Sequence, residues 1–129
     1  MFKDAKAYSG FAVNDLDVAQ RFYGETLGLE VERIYDGRLL QLKLAGETSV
    51  LIYPKDDFVP ATYTILNFPV PDIEASVREL KAAGIRMESY DVDGGTADEN
   101  GIHRGDGPTI AWFKDPAGNI LSVHSDEPM

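Results

Sequence analysis

Cysteine is absent from this 129-residue chain, and it has only two histidines and one tryptophan. Without cysteine there can be no disulfide framework, no thiolate zinc site and no cysteine nucleophile. The absence is typical of proteins in a reducing cytoplasm, and we predict that location. A chain of this length buries about two thirds of the surface that its unfolded form exposes, so it needs no cross-links to fold.

Long apolar runs and an excess of positive charge are also missing. No segment approaches the roughly 18 consecutive apolar residues of a membrane span, and residues 1–6 lack the apolar core of a signal peptide. We therefore expect no membrane partner. With 22 acidic and 12 basic residues, the formal net charge is −10. Such a surface repels phosphate backbones, so we expect no nucleic-acid partner, whereas a cationic ligand would be attracted.

One pattern of elements is predicted twice along the chain. In the first half, a strand over 7–13 precedes Asp15, whose carboxylate suits a helix start, and apolar residues then recur at spacings of four. Gly28 is the residue type that ends a helix in the left-handed conformation. Three strands follow, over 29–34, 39–44 and 49–53. A charged segment with two prolines then separates the halves.

The second half repeats this order. A strand over 61–70 precedes a helix opened by Asp72 and ended by Gly84. Further strands are predicted over 85–88, 109–113 and 119–124. The glycine-rich, polar segment 91–108 is predicted to be a loop, either a lid over a pocket or a passive crossover.

The duplication predicts the fold class. Two βαβββ modules, about 1–58 and 59–129, should form a curved mixed β-sheet in a single α+β domain. Each helix can cover only one face of its own sheet. The paired sheets can therefore form a concave interior suited to a ligand.

Two motifs resemble those of the vicinal oxygen chelate superfamily, which includes glyoxalase I, extradiol dioxygenases, and fosfomycin- and bleomycin-resistance proteins. The segment 13–16, with Phe22-Tyr23 and 27–29, resembles the first strand and helix of that family. The segment 112–119 resembles its late Asp-Pro-x-Gly-Asn turn. The resemblance covers about residues 7–124. It implies this fold and a homodimer, but the fold carries many chemistries.

Metal-using members of that family hold a divalent cation with His and Glu side chains on the first and last strands of each module. The corresponding positions here fall on or beside Tyr8, Ile52, Ile65 and Ser122. Phenol, hydrocarbon and hydroxyl groups cannot replace the hydration shell of such a cation. The resemblance together with this departure from it predicts no metal and no cofactor.

We predict instead that these positions contact a small organic ligand. The candidate ligand-binding residues are Tyr8, Ile52, Tyr53, Ile65, His103, Trp112, Ser122 and His124. An apolar pocket with a few hydroxyl groups suits a flat or amphiphilic molecule. The resemblance to the bleomycin-resistance group then implies sequestration of an aromatic or cationic antibiotic.

The alternative is a lyase, isomerase or dioxygenase of the glyoxalase type. It would need unusual metal ligands, such as His103, His124 and Glu99, or metal-free acid–base work by Tyr8 or His124. Ser122 and His124 share a strand face, but no nucleophile-elbow motif surrounds Ser122. A regulatory module controlled by its ligand is a third interpretation, and no catalytic residue is assigned.

Overall fold

The computed structural model describes residues 1–90, 95–105 and 107–126. The chain divides into two compact units, Met1–Pro60 and Ala61–Met129. Each unit has its own mixed sheet and its own α-helix. The predicted α+β class is confirmed. No helix among the described residues is long and apolar enough to cross a membrane.

Unit 1 follows the predicted order of elements. Helix α1 (Leu16–Arg21) continues as a π-helical turn, Phe22–Thr26, so that Phe22 and Tyr23 are both buried. The strands are β1 (Ser9–Val13), β2 (Glu30–Ile34), β3 (Leu39–Leu44) and β4 (Thr48–Pro54). Their order in the sheet is β1-β4-β3-β2, with β1 parallel to β4 and the other pairs antiparallel.

Unit 2 has the same plan with an added hairpin. Its elements are β5 (Thr64–Val70), α2 (Ile73–Ala82), β6 (Met87–Glu88), β7 (Gly95–Ala97), β8 (Ile102–Gly105), β9 (Ile110–Lys114) and β10 (Ile120–Ser125). The order is β5-β10-β9-β8-β7, and β6 also pairs with β9. As in unit 1, the first strand runs parallel to the last one.

The prediction of a loop over 91–108 is wrong for two segments. Strands β7 and β8 lie inside it, and residues 91–94 and 106 lie outside the described part of the chain. Both β6 and β8 pair with β9. β6 pairs with Phe113 and Trp112, and β8 pairs with Ala111 and Ile110. The β7–β8 hairpin therefore continues the pairing with β9 that the two-residue strand β6 begins.

Equivalent residues begin and end the two helices. The carboxylates of Asp15 and Asp72 each accept a hydrogen bond of 3.1 Å from the backbone N–H three residues later. Gly28 and Gly84 follow the helical segments with φ of 74° and 87°. Capping by an acidic side chain and a left-handed glycine at the end are the features expected from the sequence.

Alternating strand residues form the core of each unit. In unit 1, Phe11, Val13, Leu40, Leu42, Val50 and Ile52 are buried, and α1 contacts β3 and β4. In unit 2, Ile102, Ala111, Phe113, Leu121 and Val123 are buried, and α2 contacts β9 and β10 through the side that buries Ile73 and Val77. Each sheet therefore has one face under its helix and one face opposite the helix.

The Asp-Pro-Ala-Gly-Asn turn is a structural element of unit 2. The Asp115 carboxylate accepts hydrogen bonds from the backbone N–H of Asn119 at 2.8 Å and from its side-chain amide at 3.2 Å. The Asn119 side-chain oxygen then accepts the backbone N–H of Ala61 at 3.3 Å. The motif joins β9 to β10 and holds the start of unit 2, so it reports on fold rather than on chemistry.

Candidate functional site

The face of the unit 2 sheet opposite α2 carries most of the polar side chains of that sheet. Residues that pair across neighbouring strands share a face. Trp112 pairs with Ser122 and Glu88, and Ser122 pairs with Asn67. Ile110 pairs with both His103 and His124. We call this set the polar face: Asn67, Glu88, His103, Ile110, Trp112, Ser122 and His124.

Trp112 is the centre of an aromatic cluster on the polar face. The Tyr90 ring meets the indole edge-on at 5.5 Å between centroids, and the His103 ring does so at 5.2 Å. We call Tyr90, His103 and Trp112 the aromatic cluster. The indole Nε1–H donates to the Thr64 hydroxyl at 3.0 Å. The indole therefore reaches across β10, which lies between β9 and β5, and its orientation is fixed at both ends.

Ser122 lies beneath this arrangement and is fully buried. Its hydroxyl donates to the Asn67 side-chain oxygen at 2.5 Å. His124 is half-buried, and its Nδ1 lies 2.7 Å from the Ser125 carbonyl oxygen, which assigns the proton to Nδ1. The Ser122 proton is thus directed to Asn67, and the arrangement does not resemble an activated nucleophile.

Three polar atoms of the aromatic cluster are buried and have no hydrogen-bond partner in the part of the chain that the structure describes. His103 is only 4% exposed, and neither ring nitrogen has a hydrogen-bond partner among the described residues. The Tyr90 hydroxyl is likewise buried and unpaired within this part of the chain. Buried polar atoms are nearly always hydrogen-bonded, because each unmade bond costs about 1–3 kcal/mol. The cluster thus differs from an ordinary core.

One acidic side chain lies beside the cluster. Glu88 pairs in register with Trp112 and is 3.8 Å from the Lys114 ammonium group. Burial, and secondarily the charge of Glu88, raise the pKa of Tyr90 above its ordinary value of 10.0. The Tyr90 hydroxyl therefore keeps its proton at neutral pH and can donate it.

The predicted ligand-binding residues of unit 1 do not lie together on one face of the sheet. Tyr8 precedes β1 and is 68% exposed, and Tyr53 is also exposed. Ile52 is 0% exposed and lies in the core under α1, with Leu40 and Phe11 as in-register neighbours. Because alternate residues face opposite ways, Tyr53 and Ile52 lie on opposite faces. Ile52 is therefore not available to a ligand in this structure.

The unit 2 candidates are brought together with one exception. His103, Trp112, Ser122 and His124 share the polar face. Ile65 is half-buried and sits at a β-bulge, where the register with β10 shifts between Thr64 and Leu66. Tyr90, Thr64 and Asn67 were not predicted as site residues. Thr64 and Asn67 contact Trp112 and Ser122 because of the strand order β5-β10-β9, whereas Tyr90 contacts Trp112 from outside a regular strand. The sequence carries no direct signal for either kind of contact.

The four family positions do not offer a metal-binding set. Ser122 is hydrogen-bonded to an amide oxygen, Ile52 is in a core, and Tyr8 and Ile65 add a phenol and a hydrocarbon. Over residues 1–90, 95–105 and 107–126, no three His, Asp or Glu side chains are placed to share an ion. These residues do not fit the divalent cation of the metal-using relatives.

A groove of about 440 Å³ lies elsewhere in unit 2, beside the end of α2, β6 and the turn between β7 and β8. Its charged lining residues have both signs, namely Lys81, Arg86, Glu88, Asp98 and Glu99. None of the aromatic cluster lines this groove. We therefore treat the cluster, and not the groove, as the candidate site.

Asp98 organises the turn that leads into β8 and so positions His103. Its carboxylate accepts the backbone N–H of Asn100 at 2.8 Å and of Ile102 at 3.0 Å, and binds Arg104 at 2.6 Å. Burial raises the pKa of Asp98, but these hydrogen bonds, with the Arg104 charge, outweigh burial and lower the pKa below 3.8. The ionised carboxylate therefore stabilises the hairpin.

We expect Asp98→Asn to lower the free energy of unfolding by about 1 kcal/mol at pH 7, a value discounted for partial exposure. Because the folded-state pKa is depressed, the wild-type advantage is complete above the unfolded-state pKa. It is lost as the pH falls below 3.8 through the folded-state value. Urea unfolding from pH 7 to pH 3 measures the difference. Glu99→Gln is the control, and an Asp98→Asn deficit independent of pH would contradict this account.

The fold is shared with proteins of known structure. A glyoxalase family protein from Enterococcus faecalis is 26% identical, with a TM-score of 0.67 over 97% of this chain and 100% of that one. An antibiotic-binding protein from Streptomyces sp. CB03234 is 22% identical, with a TM-score of 0.63 over 95% and 97%. A lactoylglutathione lyase from Agrobacterium tumefaciens is 23% identical, with a TM-score of 0.61 over 95% and 93%. The last two likenesses concern the fold alone.

The family itself is identified by sequence. Comparison with curated proteins gave no significant match. The sequence model that does match spans residues 7–123, which is nearly the whole chain and includes both units. The chain belongs to the Glyoxalase/Bleomycin resistance protein/Dioxygenase superfamily.

Proposed function

We propose that this protein binds a small organic molecule on the polar face of unit 2, without a metal ion at the four family positions. The observation that carries the proposal is the aromatic cluster. Trp112 contacts two edge-on rings, and three polar atoms beside it have no hydrogen-bond partner within residues 1–90, 95–105 and 107–126. A binding site needs apolar surface with a few oriented polar groups, and this cluster supplies both.

Membership in the superfamily supports a small-molecule ligand in general. The Streptomyces structure of the same fold is an antibiotic-binding protein. We infer that the ligand here is an aromatic or cationic compound of that kind, which the protein sequesters. The rings contribute stacking and cation–π attraction, and the net charge of −10 favours approach of cations.

Two further expectations belong to this proposal. The protein is expected to act in the cytoplasm, which the lack of cysteine favours. It is also expected to be a homodimer, as the family resemblance implies. Sedimentation equilibrium across a range of concentrations tests the second expectation, and a mass of one chain throughout would contradict it.

Binding can be measured at the site because Trp112 is the only tryptophan. We expect planar aromatic drugs to change its fluorescence in a saturable way, equally before and after dialysis against a chelator. Elemental analysis of the purified protein should find well below one zinc, nickel or manganese per chain. Binding that requires one of these metals would overturn the metal-free part of the proposal.

A matched pair of variants tests the location. Trp112→Leu removes the central ring, and we expect calorimetry to show about tenfold weaker binding, the size of a lost aromatic contact. Tyr63→Leu removes a ring that is 70% exposed in the same unit, and it should leave the affinity unchanged. Equal affinities for the wild type and Trp112→Leu would place the ligand elsewhere.

The enzymatic alternative finds no support in these contacts. It would need either metal ligands such as His103, His124 and Glu99, or metal-free acid–base work by Tyr8 or His124. The first three form no metal-binding group among the described residues. His124 is engaged with a backbone carbonyl oxygen, and Ser122 with Asn67. We therefore propose binding rather than catalysis.

A further inference from the structure

The unpaired atoms of the aromatic cluster indicate which hydrogen-bonding groups a ligand should carry. His103 is 96% buried, and a neutral imidazole has one N–H donor and one acceptor nitrogen. The Tyr90 hydroxyl can both donate and accept. Neither side chain has a hydrogen-bond partner among the described residues, although both rings contact Trp112. The unmet requirement is thus for donors and acceptors together.

Resting on the proposed function, we propose that His103 and Tyr90 form a polar subsite that recognises the hydroxyl group of an uncharged aromatic compound. The aromatic part of that compound lies against Trp112. Its hydroxyl group hydrogen-bonds to the imidazole and the phenol.

Matching of donors and acceptors distinguishes the ligand classes. An ammonium group only donates and a carboxylate only accepts, so either leaves part of the set unmet. A hydroxyl group does both. A charged group would also have to leave water for a cluster of three buried or half-buried rings, while the nearby Glu88 is already within reach of Lys114. The uncharged hydroxyl compound satisfies the most atoms at the lowest desolvation cost.

Trp112 provides a ring surface for the ligand but no free hydrogen-bonding group. Its Nε1–H is already used by Thr64 at 3.0 Å, so the indole can offer the ligand only its ring surface. Discrimination between ligands of the same shape must therefore come from His103 and Tyr90. The three atoms are buried and have no hydrogen-bond partner among the described residues. This raises the free energy of the unliganded protein, and a matching ligand removes that cost.

Three probes of similar size test the inference: 4-methylphenol, toluene and benzylammonium. The single indole N–H resonance of Trp112 reports binding by NMR, up to the solubility limit of each probe. In the wild type, we expect 4-methylphenol to bind about tenfold more tightly than toluene, as one or two hydrogen bonds would give. We expect benzylammonium to bind no more tightly than toluene, because the desolvation of its charge offsets the cation–π attraction of the rings.

Two variants remove the polar atoms and leave an aromatic ring at each position. In Tyr90→Phe and His103→Phe, the preference for 4-methylphenol over toluene should fall below about threefold, consistent with losing one hydrogen bond. The thermal midpoint without a probe should rise, because an unpaired buried group is gone. Tyr63→Phe is the control and should change neither quantity. If His103→Phe fails to fold, Tyr90→Phe still tests the inference, because this substitution removes only a hydroxyl group and keeps the ring.

The outcomes separate this inference from the proposed function. Equal affinity for toluene and 4-methylphenol in the wild type overturns the subsite but leaves ligand binding at Trp112 standing. Tighter binding of benzylammonium also overturns the subsite. A lower thermal midpoint in both Phe variants means that the atoms are satisfied in the free protein, which likewise overturns it. If none of the probes shifts the indole resonance while planar aromatic drugs still change Trp112 fluorescence, the subsite is overturned and the proposed function stands.

Discussion

Phe113→Ala should lower the free energy of unfolding by about 3–5 kcal/mol, the usual cost of removing a buried phenyl ring. Phe113 is 1% exposed and is among the largest fully buried side chains of the protein. It pairs in register with Leu121 on one side and with Met87 on the other, on the face that α2 covers. No neighbouring element can close over the space without moving a strand, so most of the cavity should remain.

Urea unfolding followed by Trp112 fluorescence measures this loss directly in unit 2. Lys114→Ala, on the same strand but exposed, is the control and should cost less than about 0.5 kcal/mol. Because Phe113 and Trp112 point to opposite faces, the two positions should separate stability from binding. Phe113→Ala should retain ligand affinity under folding conditions, whereas Trp112→Leu should lose affinity. A Phe113→Ala variant within 1 kcal/mol of the wild type would mean that the face under α2 is not the core.

The repeat was predictable because it is encoded by local chemistry. Asp15 and Asp72 cap helices through contacts three residues away, and Gly28 and Gly84 adopt positive φ at the ends. Such signals need no knowledge of distant partners. The alternation of apolar residues in β3, β4, β9 and β10 likewise marks the faces of the strands that helices cover. These features predicted the fold class. The family was indicated separately, by the resemblance of segments 13–16 and 112–119 to known motifs.

The hairpin of β7 and β8 was not predictable for a physical reason. Its strands have three and four residues, β7 is the edge strand of the sheet, and only Ile102 and His103 of β8 are buried. A short edge strand with glycines has no alternation that a sequence pattern could show. What holds it is the Asp98 carboxylate, which binds Arg104 and two backbone amides. These hydrogen bonds form only in one conformation of the turn, which a sequence pattern does not show.

The candidate site was predictable in part. His103, Trp112, Ser122 and His124 were named from the sequence, and strand pairing places them on one face. For Ile52 the sequence alone did not determine which face of the sheet the side chain occupies. A one-residue difference in alignment moves a strand residue to the other face, and the structure places Ile52 in the core. Tyr90 was missed because its role depends on contact with Trp112 from outside a regular strand.

Gly101→Ala should destabilise the protein by about 2–3 kcal/mol, more than a left-handed glycine alone explains. Gly101 has a φ of 82°, and an added Cβ would lie 3.1 Å from both the Glu88 carbonyl oxygen and the Met87 Cβ. Gly84 has nearly the same φ, 87°, with nothing within 4 Å. Gly84→Ala should therefore show only the backbone cost of about 1 kcal/mol.

The difference between the two variants isolates the contact between the hairpin and β6. Gly101 precedes Ile102 and His103, so relief of the clash must shift β8 away from β6 and Trp112. We therefore expect Gly101→Ala, and not Gly84→Ala, to change the indole N–H resonance of Trp112 in the folded protein. Urea unfolding gives the free energies, and NMR gives the local displacement. Equal destabilisation by both substitutions would show that the hairpin can move freely. His103 would then have no fixed position from which to select a ligand.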